Sequence, residues 1–220
     1  MGQDFSRRDL PPYPAAVDHL VYAATDLDEA VKELGGLLGV TAAPGGRHPS
    51  WGTRNALLSL GPRMYLEIVG PDPQGPPPAG PRPFSIDSLE TPRLVTWACR
   101  GENLDALVRT AGRAGVHLGE VQARSRQRPD SSLLSWTMTD ALADREGGVV
   151  PFFIDWGLSV HPAGASPQGC ALAGLRLVHP DAGRVSSALR LLGLDLVVET
   201  GPAPRLTAVL LTPRGEIEVR

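Results

Sequence analysis

Two stretches of this chain can be laid on one another without a gap. LVYAATDLDEAVKELGGLLGV at Leu20–Val40 aligns with LRLVHPDAGRVSSALRLLGLD at Leu175–Asp195. A second pair repeats in the same order: PRMYLEIV at Pro62–Val69 aligns with PRGEIEVR at Pro213–Arg220, which sets Glu67 over Glu218 and Arg63 over Arg214. Two matching blocks in one order point to copies of a single supersecondary unit, and that unit then constrains the whole fold.

The first copy shows what the unit is. Val17, His19, Val21 and Ala23 alternate with Leu20 and Tyr22, the period of a strand. Thr25 stands where a helix cap is needed, with Asp28 three residues on, as in a capping box. Leu27, Ala30, Val31, Leu34 and Leu38 then form one apolar stripe, and Gly39 ends the helix. Strand-like pieces follow at Val40–Ala43, Asn55–Leu60 and Met64–Val69, the last two joined by a tight hairpin. The order is βαβββ. A second copy reads strand Leu94–Arg100, helix Leu104–Ala111, then strands Glu120–Arg126, Leu133–Thr139 and Val149–Trp156. A third reads strand Leu172–Val178, helix Pro180–Leu192, then strands Leu194–Glu199, Arg205–Leu211 and Glu216–Val219.

The expected organisation is an N-terminal arm over 1–16, units at 17–70, 94–157 and 170–220, and linkers at 71–93 and 158–169. The first linker carries too much proline to continue a sheet or a helix; Phe84 and Ile86 are its candidates for tucking against the surface. The fold class is α+β: three tandem βαβββ units, the first two forming a cupped mixed β-sheet with helices outside.

Several functions are excluded early. The net charge of −3 gives no basic field for nucleic acid. No apolar run reaches the roughly 18–20 residues of a membrane helix, and the first residues lack the apolar core of a secretory signal. Cys99 and Cys170 lack CxxC partners and read as reduced thiols of a cytoplasmic protein. GxSxG, GxGxxG, P-loop, HExxH and EF-hand patterns do not occur, so serine hydrolysis, dinucleotide redox chemistry and nucleotide hydrolysis have no support.

Two polar residues stand out. His19 lies on an otherwise apolar strand face, as a buried structural histidine or a site residue. Glu67 sits between Leu66 and Ile68, where burial is costly without a partner unless the strand is a solvated edge. Tandem βαβββ units, and the stretches VDHLVYAATDLDEA, HPSWGTRNALLSLG, MYLEIVGP and VPFFIDWGLSVHP, resemble the glyoxalase-like branch of the vicinal oxygen chelate superfamily. That superfamily includes glyoxalase I, extradiol dioxygenases, epimerases and metal-free antibiotic-binding proteins.

The resemblance implies a site in the cup, with ligands from the first and fourth strands of each unit. It places His19 and Glu67 at those positions in unit one, and Thr96 and Asp155 in unit two. His19, Glu67 and Asp155 are thus the candidate ligands of a divalent metal ion, and Glu67 is also the candidate catalytic residue. Asp155 could instead cap the turn at Gly157. No other cofactor is implied. His48 and Asn55, in the HPxWGTxN string, are candidates for the pocket mouth, with Thr96 in the unit-two wall. Arg124, Arg126 and Arg128 alternate along one strand as a solvated edge or as a clamp for a carboxylate or phosphate, with Arg124 the candidate contact. Trp97, Trp136 and Trp156 read as core, with Trp97 the candidate to floor the pocket. In unit three Gly174 stands at the His19 position.

Two functions follow as expectations. One is a metal-dependent lyase, isomerase or related enzyme acting on a small substrate with vicinal oxygens. The alternative is a metal-free protein that binds or sequesters a small molecule. The third unit is a half-barrel left over, and its concave face needs cover that a second chain's third unit could supply, so a homodimer is expected.

Overall fold

The structure is a computed structural model that describes residues 16–113, 115–127 and 131–220. The N-terminal arm up to residue 15 and Arg128 lie outside the described residues. Strand β1 (Val17–Ala23) runs straight into helix α1 (Leu27–Leu38), as its two periodicities require. Asp26, one residue beyond the expected Thr25, is the cap: its carboxylate accepts the Glu29 amide. Leu27, Ala30, Leu34 and Leu38 are buried, and Gly39 closes the helix at φ 77°, its N–H bonded to the Gly35 carbonyl. Fully burying one such leucine is worth about 2 kcal/mol.

The remaining strands of the first two units are β2 (Ala43–His48), β3 (Thr53–Gly61), β4 (Met64–Pro71), β5 (Arg93–Arg100), β6 (Val121–Gln127), β7 (Leu133–Thr139) and β8 (Phe152–Asp155), with helix α2 (Leu104–Arg113) after β5. They form one mixed sheet in the order β1-β4-β3-β2-β6-β7-β8-β5, curved until it closes. β1 pairs in parallel with β4 and antiparallel with β5. Among the described residues one register pair, Arg47–Gln127, joins β2 to β6 and turns the expected cup into a barrel. β2 itself is a correction. Its sequence, APGGRH, has a proline and two glycines, so strand propensity pointed to Val40–Ala43 instead. Pairing with β3 makes the strand, and it puts His48 at a buried strand end.

The third unit has the expected element order: β9 (Ala171–His179), α3 (Ala182–Leu191), β10 (Val198–Thr200), β11 (Arg205–Thr212) and β12 (Gly215–Val219). Its sheet order, β10-β9-β11-β12, differs from that of unit one. In unit one the first strand pairs with the fourth; here β11 lies between β9 and β12. The face opposite α3 carries Arg176, Glu199, Glu218 and Arg220, joined as ion pairs, so it is charged rather than an apolar half-core awaiting cover.

Apolar side chains form two cores. Outside the barrel wall, Leu20, Leu66 and Trp97 share one continuous cluster with the faces of α1 and α2 and with Leu175, Val185 and Leu189 of the third unit. Inside the barrel is a smaller cluster that includes Val21, Tyr65, Trp136, Phe152 and Trp156. The linker crosses one end of the barrel. Ile86 and Leu89 are buried in the inner cluster, as expected for Ile86, and Phe84 packs against it. Arg82 pins this strap by donating from Nε to the Gly52 carbonyl, 3.1 Å away, and by pairing with Asp87. No described helix is long and apolar enough to cross a membrane.

Candidate functional site

The barrel interior holds a cavity lined by His19, His48, Asn55, Tyr65 and Glu67 on one side and by Trp136, Phe152, Ile154 and Trp156 on the other. It is small as it stands, about 30 Å³, room for a water molecule or two. Pro83 and Phe84 of the strap form part of its wall.

The polar side is built around Asp18. A register shift in β1 between Val17 and His19 breaks the alternation, so Asp18 is not carried to the outer face. Its carboxylate is fully buried and takes three donors. Oδ1 accepts from His19 Nδ1 at 2.7 Å; Oδ2 accepts from His161 Nε2 and Trp156 Nε1, each at 3.1 Å. Burial opposes ionisation, but the hydrogen bonds from His161 and His19 win and hold Asp18 well below the usual carboxylate range.

An ionised carboxylate can only accept, so both imidazole tautomers follow. His161 Nδ1 accepts the Ala163 amide at 3.2 Å, which leaves its proton on Nε2. His19 carries a proton on Nδ1, and in its neutral form it turns Nε2, as an acceptor, towards the cavity. There it faces Glu67 Oε2 at 3.8 Å, too far for a hydrogen bond. Tyr65 stacks on the same ring, centroids 4.5 Å apart. Its hydroxyl is held above its ordinary value by burial and by the charges of Asp18 and Glu67.

Glu67 is buried, and its Oε1 accepts from Asn55 Nδ2 at 2.5 Å. The Asn55 Oδ1 is buried without a hydrogen-bond partner among the described residues. His48 Nδ1 lies 3.1 Å from Thr53 Oγ1. Burial pushes His48 down to about 4, with Glu67 pulling it up and Arg126 pushing it further down. This has a measurable consequence. A histidine at about 6.5 when unfolded and about 4 when folded binds more protons unfolded across that interval. Its neutral form therefore stabilises the fold fully above pH ~6.5, and that contribution is lost as the pH falls towards 4. The loss is on the order of 3 kcal/mol. Urea unfolding between pH 7 and 4 should show the slope, and His48→Gln should flatten it.

The structure brings together four of the residues singled out from the sequence: His19, His48, Asn55 and Glu67. It sets four others apart. Thr96 donates to the Gly148 carbonyl at 3.2 Å and does not line the cavity. Trp97 lies in the outer core with Nε1 bonded to the Val149 carbonyl at 2.9 Å. Arg124 sits at the barrel rim, stacked over Trp51 and bonded to Gln122. Asp155 Oδ1 accepts the Gly157 amide at 2.8 Å, the turn-capping role, and its side chain lines an outer groove.

Strand register explains the displacement. His19 pairs with Tyr65 across β1 and β4, and Glu67 lies two residues on. Across β5 and β8 the matching pair is Ala98–Phe152, which makes Ile154 the counterpart of Glu67. Counting back from the helix misplaces the unit-two position because α1 starts at Leu27, eight residues after His19, whereas α2 starts at Leu104, six after Ala98. Asp18, Tyr65 and His161 were missed altogether. An Asp-His dipeptide on a short strand was the one available signal for Asp18. Arg126, named only as one of three alternating arginines, lines the cavity.

Two βαβββ units closed round one cavity, with a histidine on the first strand and a carboxylate on the fourth, define a protein of the vicinal oxygen chelate fold. The chain belongs to the glyoxalase-like domain family of that superfamily, which it matches over residues 17–193. A comparison with curated protein sequences finds no match. Among solved structures, a hypothetical protein from Staphylococcus aureus is 17% identical with a TM-score of 0.60, over 92% of this chain and 83% of its own. Methylmalonyl-CoA epimerase from Mycobacterium tuberculosis is 19% identical with a TM-score of 0.39, over 67% of this chain and 91% of its own. A Streptomyces coelicolor methylmalonyl-CoA epimerase in complex with 2-nitronate-propionyl-CoA is 16% identical with a TM-score of 0.41, over 69% and 98%.

Superfamily members often use divalent metals, so the donor set here bears testing against one. Ala98 and Ile154 stand at the two unit-two positions, and neither can coordinate an ion. Among the described residues no three His, Cys, Asp or Glu side chains are grouped to share a metal. Catalytic metal sites ordinarily keep three protein ligands. His19 and Glu67 alone do not fit that requirement.

Proposed function

We propose that the chain takes up a small molecule with a flat apolar body and a hydroxyl or N–H donor at one end, without a four-ligand metal centre. The division of the cavity carries this reading. Unit one supplies nearly all the polar groups, and unit two supplies Trp136, Phe152, Ile154 and Trp156. A donor placed between Glu67 Oε2 and the Nε2 of a neutral His19 could donate to either of two acceptors that do not reach each other. Aromatic rings opposite would sandwich the rest of the molecule once the strap carrying Pro83 and Phe84 draws back, because the closed cavity holds only a water or two.

A second reading has one observation in its favour. The Asp18–His19 pair is a buried carboxylate holding an imidazole in one tautomer, which suits the transfer of a proton. Glu67 would be the second proton carrier.

Tryptophan fluorescence tests binding, because Trp51, Trp136 and Trp156 all line the cavity. Phenol should quench it saturably, with or without chelator, and Glu67→Leu should weaken binding about tenfold, or ~1.4 kcal/mol. Elemental analysis of protein purified without chelator should give no stoichiometric metal. One ion per chain, lost in Glu67→Gln and in His19→Ala, would replace this proposal with a metal-dependent lyase or isomerase.

A further inference from the structure

Against the ring of Phe152 lies Arg145. Its guanidinium stands 5.6 Å from the Phe152 ring centre. The residue is only 5% exposed. Nη1 donates to the backbone carbonyls of Asp140 and Ala143, at 2.6 and 3.1 Å, while Nε is buried with no acceptor among the described residues. No described carboxylate forms an ion pair with it. Asp140 is engaged by the Leu142 amide at 2.9 Å and Asp144 by the Gly147 amide at 3.5 Å. Burial pulls this guanidinium down to about 10, against the pull of Asp140 and Asp144. A buried cation held only by carbonyl oxygens is costly unless an anion compensates it.

Arg145 lines a cleft of about 910 Å³ between the strap and the third unit. Five arginines line that cleft against two aspartates. Arg93 begins β5 and Arg205 begins β11; both are exposed and, among the described residues, neither makes an ion pair. Phe84 lines this cleft and the barrel cavity alike. It is held at φ 61° and Ser85 at φ 55°, a backbone conformation that a bulky side chain seldom adopts. Phe84 stacks on Phe152 at 6.0 Å, so one ring separates the two spaces.

We propose that the cleft is an anion subsite in which Arg145, Arg93 and Arg205 hold a carboxylate or phosphate on the ligand whose body enters the barrel past Phe84. The proposal rests on the reading of the barrel cavity as a small-molecule site. It also gives the third unit a part in recognition, since Arg205 comes from its sheet.

Arg145 is too buried for its removal to be a clean test, so the test uses the surface pair. Wild type and Arg93→Ala/Arg205→Ala are titrated with four probes: inorganic phosphate, phenol, para-hydroxyphenylacetate and para-hydroxybenzylphosphonate. Calorimetry follows phosphate and tryptophan fluorescence follows the others. In wild type, at least one of the two-ended probes should bind about tenfold more tightly than phenol, and the advantage should shrink at high salt. The double variant should lose that advantage and its phosphate binding, with phenol unchanged. Whichever two-ended probe binds more tightly then tells whether a carboxylate or a phosphate is held. Phosphate binding that is absent in wild type, or unchanged in the double variant, would overturn the anion subsite. Arginine-dependent phosphate binding without phenol binding would retain the subsite and reject the cavity reading.

Discussion

Replacing Asp18 by alanine should lower stability by about 3–5 kcal/mol, because it strands three buried donors at once. For a chain of this length that is a fall in melting temperature of roughly 6–20 °C, readable by calorimetry. The side chain is fully buried, so water cannot replace the lost acceptor without entering the core. Asp18→Asn keeps an acceptor oxygen and should cost less. The pH dependence gives an independent check. Asp18 has a folded value below its ordinary one, so its contribution is present above the unfolded carboxylate value, about 3.9, and is lost as the pH falls below it. Wild type should therefore lose stability below about pH 4, and Asp18→Ala should lose less over the same interval. An unchanged melting temperature in Asp18→Ala would mean that the three-donor cluster does not hold the barrel together.

The second large effect is expected at Gly148. Its φ is +90°, and a Cβ there would be driven into the carbonyl oxygen of Val95. That carbonyl belongs to the backbone of β5 and cannot swing aside as a side chain would. The surrounding segment is fastened to the same strand: the Gly148 carbonyl accepts from Thr96, and the Val149 carbonyl accepts from Trp97. Gly148→Ala should cost about 3–5 kcal/mol through clash and backbone strain together. Thermal unfolding measures it, and Gly157→Ala is the control, since its added Cβ meets nothing within 4 Å. A difference of less than about 1 kcal/mol between the two would show that the β5 contact is loose.

Where local pattern and packing agree, the fold could be read from the sequence. The α1 stripe, the Gly39 stop and the alternation in β4 each stated their own structure. The failures have physical causes. β2 is a strand by virtue of its neighbour, against its own composition. The sheet order of the third unit depends on pairing that no local pattern encodes. For the site, His19 and Glu67 were visible because each is a polar residue in an apolar strand. Asp18 was hidden by a register shift, which reverses the face that alternation assigns. His161 lies far along the chain and reaches Asp18 only through the fold. Asp155 was one residue from the cavity-facing position, and in a strand one residue means the opposite face.

The third unit shows what a duplicated sequence can and cannot inherit. Its letters match those of the first, including the glutamate aligned with Glu67. In the first unit, adjacency of the first and fourth strands makes His19 and Glu67 neighbours. In the third, Val209 of β11 pairs with Gly174 on one side and Glu218 on the other. Even a histidine placed at Gly174 would face that glutamate across an intervening strand. A site made from two strands is therefore a property of their adjacency, and copying both strands without it leaves only the spelling.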